Sequence, residues 1–417
     1  MSLTSKKLAI VVGGGPAPGI NSVIASATIL SRLKDIDVIG VIDGFKHLMK
    51  GDIEHVMPLD IKDISRIHFL GGSHIGIARD NPTKNMKDMD TVVNSLLRLN
   101  VDKLITIGGD DTLYSAYKLE ELSNGRIRVV HVPKTIDNDL DLPYGISTFG
   151  FQTARHLGVE IVKNLMVDAL TTSRWYFVIA MGRKAGHLGL GIGKAVGATL
   201  TLVPEEFAMK KLKMANITDI LVGSIIKRLS YGKKEGVAVM AEGLVELLDP
   251  EEIKTLVNVE RDAHDNIRIA EVNFGEMLKY EVQEHLKKYN IKITIIAKNI
   301  GYELRCADPI PYDIEYTRDL GYNAANFLLN DGNSALITVQ DGRFVPIEFK
   351  DCIDPVTKKT KVRLVDVNAD TYNIAQHYMI RLTKEDFEDD HELAKYAATA
   401  GITIDEFKKH FGYLVGA

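Results

Sequence analysis

The chain has 417 residues, of which 45% are hydrophobic and 26% charged, and its formal net charge is −5. That length favours two domains over one core. The acidic balance excludes nucleic acid as the main partner, and no apolar run reaches the ~18 residues that a membrane span requires. Two cysteines, Cys306 and Cys352, cannot build a disulfide framework, so a reducing, cytoplasmic setting is expected. Met1 to Thr4 are polar and too short for a signal peptide.

In chain order, Lys7–Val12 reads as a strand that stops at glycines, and Pro18–Leu33 as a helix. Val38–Ile42 is a second short apolar run. Lys87–Leu99 carries Val92, Val93, Leu96 and Leu97 at helical spacing. A strand at Lys103–Ile107 stops at Gly108-Gly109, a helix covers Thr112–Leu122, and a strand at Arg128–Val132 stops at Pro133. Strands at Trp175–Ala180, Val237–Ala241, Lys292–Ile296 and Ala335–Val339 follow, with a small-residue helix at Gly186–Val196. Alternating strands and helices predict mainly parallel α/β sheets, in which ligands bind beyond the carboxyl ends of the strands.

Those strand ends carry the chemistry. Gly13-Gly14-Gly15-Pro16-Ala17-Pro18-Gly19 is a turn into a helix, a place where backbone N–H groups meet anions. An ordinary tight turn also explains it. So does a dinucleotide site using Asp43, although Pro18 stands where the third glycine of G-x-G-x-x-G belongs. Gly71-Gly72-Ser73 leads to Arg79, which is either a surface arginine or a bidentate phosphate ligand. Asp110-Asp111 follow Gly108-Gly109. Helix capping explains one aspartate, whereas magnesium at a phosphoryl-transfer site takes one or two carboxylates plus substrate phosphates. Pro133-Lys134-Thr135-Ile136-Asp137-Asn138-Asp139 is either an Asx-rich turn or a base, a hydroxyl and a cation for phosphoryl transfer to an alcohol. All four lie at strand ends of the first half, so they converge on one edge. In the second half Arg174, Met181-Gly182-Arg183, Glu242 and Gly301-Tyr302-Glu303-Leu304-Arg305 offer cations and a carboxylate for a sugar phosphate.

From about Lys7 to Ala325, these motifs stand in the order of the phosphofructokinase family, which the chain resembles. The resemblance implies two Rossmann-like three-layer α/β/α domains with mainly parallel sheets and the active site in the cleft between them. Residues 1–150 with about 304–355 would hold the phosphoryl donor and Mg2+, and 151–303 with 356–417 would hold fructose 6-phosphate. It implies that Asp137 is the base for the sugar 1-hydroxyl and that Asp110 holds Mg2+, while Arg79 bridges the donor and the sugar diphosphate product. Gly14, Gly15 and Asp139 would line the substrates. Thr135, Met181, Gly182, Arg183, Glu242, Tyr302 and Arg305 would bind fructose 6-phosphate. Arg174 matches an arginine that reaches in from a neighbouring subunit, which implies a homodimer or homotetramer with shared active sites.

Asp111 and Lys134 stand where ATP-using members commonly have glycine, and this pair resembles the pyrophosphate-dependent branch. A carboxylate ~4 Å from a nucleotide α-phosphate costs about 4 kcal/mol at an effective dielectric of 20, while Lys134 would stabilise the leaving phosphate. Cys306-Ala307-Asp308-Pro309 and Tyr302 depart from the family pattern around Arg305. The competing readings are an ATP-dependent enzyme, a nicotinamide dehydrogenase and a non-catalytic regulatory homologue. The dehydrogenase leaves Asp110-Asp111 and Asp137-Asn138-Asp139 without a use, and the regulatory homologue would have no need of a base. After about Asp331 the resemblance assigns nothing.

Overall fold

β1 (Lys7–Val12) alternates its side chains between two cores. Leu8, Ile10 and Val12 point into one apolar cluster, and Ala9 and Val11 into another. A strand buried on both faces belongs in the middle of a parallel sheet covered by helices, and β1 is found there. The computed structural model describes residues 6–207, 212–249 and 273–416. The chain separates into two compact units, Met1–Ala154 with Tyr302–Arg363, and Arg155–Gly301 with Leu364–Ala417.

In the first unit β2 (Asp37–Val41), β3 (Val56–Leu59), β4 (Val101–Gly108), β5 (Arg128–Pro133), β10 (Ala335–Gln340) and β11 (Arg343–Glu348) join β1 in a sheet of order β11-β10-β5-β4-β1-β2-β3. The five inner strands run parallel. The edge strands β3 and β11 pair antiparallel with β2 and β10. One face is covered by helices Ile20–Arg32 and Pro311–Leu329, and the other by Met86–Arg98 and Asp110–Ser123. The first pair approaches closely because residue 321 is glycine: a Cβ there would stand 2.5 Å from the Val23 carbonyl oxygen. Ser26 Oγ uses the same proximity to donate to the Arg318 carbonyl at 2.7 Å.

The second unit holds a four-stranded parallel sheet, β7-β8-β6-β9, made of β6 (Trp175–Ala180), β7 (Leu200–Leu202), β8 (Gly236–Ala241) and β9 (Ile295–Ile300). Trp175, Phe177 and Ile179 on one face of β6 pack against helices Met214–Ser230 and Phe274–Lys287. Each such fully buried large side chain contributes about 1.5–3 kcal/mol of hydrophobic stabilisation.

Both sheets are mainly parallel α/β, as expected, with three differences. The strand expected at Lys292–Ile296 occupies Ile295–Ile300, because Trp175 N bonds to Thr294 O and pairing with β6 begins at Ile295. Polar Lys298 and Asn299 hid its second half. The first helix starts at Ile20 rather than Pro18, after Gly19 takes a left-handed φ of 105°. The unassigned C-terminal stretch folds into helices Asp370–His377, Lys384–Glu388, Asp390–Ala400 and Ile404–Phe411. Leu393, Tyr396, Phe407 and Phe411 from them complete the core of the second unit.

Candidate active site

β1 and β4 end side by side, and their glycines close around one threonine. A Cβ on Gly13 would lie 2.5 Å from Thr112 Oγ1, and one on Gly108 2.4 Å from the same atom. Gly13 N donates to Ile107 O at 2.9 Å, and Gly14 N to Ala78 O at 3.0 Å, which draws the Arg79 segment against the turn. Gly14 has φ +85°, a conformation that side chains disfavour. Asn21, in the first turn of the next helix, donates to the carbonyls of Leu70 and Gly71 and accepts from His74 N at 2.7 Å. It thereby anchors the Gly71-Gly72-Ser73 segment.

Three cations meet at this turn. Lys134 Nζ donates to the Gly15 carbonyl oxygen. The Cβ position of Gly15 lies 3.6 Å from Arg305 Nη1 and 3.8 Å from Arg79 Nη2. Lys134 is 3% exposed. Burial pushes its ammonium pKa down to about 8; Asp137 and Asp139 oppose the shift, and Arg79 and Arg305 add to it. Lys134 N also donates to Gly108 O at 2.8 Å, tying the end of β5 to the end of β4. The Arg305 guanidinium lies over the Tyr302 ring, 4.5 Å from its centroid, and its Nε is buried with no hydrogen-bond partner among the described residues. Arg305 thus stands with Arg79 and Lys134 in the first unit, Met1–Ala154 with Tyr302–Arg363.

After β5 the chain makes an excursion that closes on itself. Thr135 Oγ1 accepts from Asp137 N at 3.0 Å, and Thr148 Oγ1 donates to Thr135 O at 2.6 Å. Asn138 takes φ +56° and its Oδ1 accepts from Thr148 N at 3.1 Å. Asp139 is 7% exposed. Asp110 and Asp111 are the first residues of helix Asp110–Ser123, where negative charge meets the positive end of the helix dipole. Asp111 is exposed. Thr360 Oγ1 donates to the Asp110 carbonyl at 3.0 Å.

For a metal ion the donor set is carboxylate. Among the described residues, one group of three His, Cys, Asp or Glu ligand atoms lies within 4.8 Å of one another: His47, Asp52 and His55. Its imidazoles are stacked at 3.7 Å and 1° from parallel, so their in-plane lone pairs cannot converge on one ion. Asp110 and Asp111 form no such trio. Hard oxygen donors completed by substrate oxygens and water are what Mg2+ takes, so these residues fit that ion.

In the second unit, β6, β8 and β9 bring Met181, Glu242 and Gly301 to one edge. Met181 N donates to Ile300 O at 3.0 Å and Glu242 N to Ala180 O at 2.9 Å. Gly301 leaves room for Met181, whose Cε would lie 2.7 Å from a Cβ there. Gly182 has φ +142°, and its carbonyl accepts from Gly243 N at 3.1 Å. Arg183 is exposed and pairs with Glu246 at 3.0 Å. Arg174 stands at the other end of β6, about 20 Å away at ~3.3 Å per residue, with its Nε 3.9 Å from Asp168.

The family model for phosphofructokinase matches residues 7–328. The chain is 49% identical to the pyrophosphate–fructose 6-phosphate 1-phosphotransferase of Naegleria fowleri, covering 98% of this chain and 95% of that one. It is 49% identical to the protein of the same name from Thermotoga maritima, covering 98% of each. The solved pyrophosphate-dependent phosphofructokinase of Nitrosospira multiformis has the same fold, with a TM-score of 0.68 at 16% identity over 89% of this chain and 90% of that one. The chain belongs to the phosphofructokinase family. Among its described residues no helix is long and apolar enough to cross a membrane.

Proposed function

We propose that this protein transfers a phosphoryl group reversibly from inorganic pyrophosphate to the 1-hydroxyl of D-fructose 6-phosphate, giving fructose 1,6-bisphosphate and phosphate. The observation that carries the proposal is the meeting of Lys134, Arg79 and Arg305 at the Gly14-Gly15 turn, with Asp137 and Asp139 acting on the same lysine. The names of the two relatives at 49% identity support it.

Asp137 takes the hydroxyl proton of the sugar as its oxygen attacks phosphorus. Lys134 and Arg79 stabilise charge on the transferring and leaving phosphates, and preorganised charge in a buried setting is effective because nothing must reorient during the reaction. Gly14 and Gly15 lend backbone to the donor. Asp111 marks the limit of the donor pocket and repels a nucleotide α-phosphate. Thr135, Met181, Gly182, Arg183, Glu242, Tyr302 and Arg305 hold fructose 6-phosphate, and Asp139 lines the substrates. Arg174 completes the sugar-phosphate site of a partner subunit in a homodimer or homotetramer. Asp110 would hold Mg2+, which when bound neutralises charge on the pyrophosphate oxygens. With a reduced pair of cysteines, Cys306 and Cys352, the cytoplasm is the proposed compartment.

The test is turnover of fructose 6-phosphate with pyrophosphate by the wild type and by Asp137→Ser. The substitution should lower kcat by ~10²–10⁴ and leave KM nearly unchanged. Turnover within about threefold of wild type would remove Asp137 from the chemistry.

A further inference from the structure

Arg363 lies far from every motif in the sequence, yet the excursion that carries Asp137 is built around it. Its backbone N–H donates to Asp139 O at 2.8 Å. Its Nε and Nη2 each lie 3.3 Å from the Asn138 carbonyl oxygen, and Nη2 also donates to Asn138 Oδ1. Nη1 donates to Ile146 O at 2.8 Å and reaches Leu142 O at 3.4 Å. The neighbouring residue, Val362, pairs with Leu140 in an antiparallel bridge. One guanidinium therefore gathers three carbonyls and one side-chain amide from residues 138–146. Only arginine offers enough donors in a planar fork to do this.

The contact with Asn138 carries the mechanistic meaning. Asn138 follows Asp137 directly and holds a left-handed φ of 56°, a conformation that needs support outside glycine. Arg363 grips both its carbonyl and its side chain, and Thr148 N donates to the same side-chain oxygen, so the residue next to Asp137 is held by both. Burial pulls the Arg363 pKa below its usual value, and the charges of Asp141 and Asp139 oppose that shift.

We infer that Arg363 is a positioning residue for the phosphoryl-acceptor chemistry: it holds the Asp137-Asn138-Asp139 backbone so that Asp137 meets the sugar hydroxyl. The inference rests on the reading of Asp137 as the base. Arg363 acts through Asp137 and not by touching substrate, so its removal should be felt in kcat and not in KM, and only while Asp137 is present.

The experiment is a double-mutant cycle with Arg363→Ala and Asp137→Ser, read as kcat and KM for fructose 6-phosphate with pyrophosphate. Arg363→Ala alone should lower kcat by roughly 10- to 100-fold, part of the ~10²–10⁴ that a positioned base supplies, with KM within threefold. In the Asp137→Ser background the same change should have almost no further effect, because two groups acting as a unit are not additive. Methylguanidine should restore part of the kcat of Arg363→Ala. If Arg363→Ala does not fold, Asn138→Ala takes its place in the cycle with the same expectation. Additive losses in the two backgrounds, or unchanged kcat in a folded Arg363→Ala, would overturn the inference while leaving the Asp137 reading intact. A fully active Asp137→Ser would instead overturn the reading beneath it.

Discussion

Lys134 donates its side-chain hydrogen bond to the carbonyl oxygen of Gly15, joining the residue after β5 to the turn after β1. A lysine that is 3% exposed and spends a donor on backbone is held where its charge faces the Gly14-Gly15 turn and cannot turn to bulk water. If Lys134 acts on the phosphates as proposed, its protonation state near neutral pH is a variable of the reaction.

With a pKa pushed down to about 8, Lys134 is charged below that pH and neutral above it. The pyrophosphate-dependent kcat/KM should fall as pH rises through about 8. Lys134→Arg, charged at every accessible pH, should lose this basic limb even if the rate is lower. A limb unchanged in Lys134→Arg would assign it to another group.

The same shift has a consequence for stability. Between about 8 and 10.5 the unfolded chain keeps the lysine proton and the native chain does not, so native stability rises with pH across that window. Below about 8 the buried charge costs about 3 kcal/mol, partly offset by about 1 kcal/mol from the hydrogen bond to Gly15. Lys134→Met should therefore melt no lower than wild type at pH 7, and any advantage should shrink by pH 10. Thermal melts at both pH values check this, and a clear loss of Tm at pH 7 would contradict it.

Gly13→Ala should destabilise the fold by about 1–3 kcal/mol, the usual range for overpacking, because its Cβ would lie 2.5 Å from Thr112 Oγ1 and 3.0 Å from Cγ2. Removing those two atoms with Thr112→Ala in the same chain should recover most of the loss relative to Thr112→Ala alone. Denaturant titrations of the four proteins measure the coupling. Strict additivity would place the conflict elsewhere.

Arg174 stands at the opposite end of β6 from Met181–Arg183, so one chain cannot bring both to the same sugar phosphate through that strand. Hybrid oligomers formed by dissociating and reassociating inactive Asp137→Ser and Arg174→Ala proteins should regain activity, because some sites would combine an intact Asp137 with a partner's intact Arg174. Verified hybrids that stay inactive would remove Arg174 from a shared site.

The strand ends were legible in the sequence because close backbone approach forces small residues there. Gly13 and Gly108 both make room for Thr112, and those glycines are what punctuate the apolar runs of β1 and β4. Lys134, Asp137 and Asp139 were legible for a related reason, since they cluster in one polar loop after a strand. The contacts of Arg305 with Gly15 and Arg79 were not legible in its own stretch, because those residues lie more than 200 positions away; only the domain bounds implied by the resemblance put all three in one unit. Arg363 was hidden in the same way: its partners, from Asn138 to Ile146, are 217–225 residues distant. The C-terminal helices were missed because each is short, and their apolar residues gain meaning only against the helix Met214–Ser230 and its sheet.

The choice of phosphoryl donor is the central claim, and Asp111 and Lys134 are the residues that test it most directly. The measurement is the ratio of kcat/KM for ATP to that for pyrophosphate, at saturating fructose 6-phosphate and Mg2+, in wild type, Asp111→Gly, Lys134→Gly and the double mutant. The wild type should use pyrophosphate by orders of magnitude over ATP. Asp111→Gly should raise the ratio by relieving a repulsion of up to ~4 kcal/mol, lessened by water and metal screening. Lys134→Gly should raise it separately by slowing the pyrophosphate reaction, and the double mutant should show the largest ratio. A wild type that prefers ATP, or a ratio that does not move in Asp111→Gly, would contradict the account.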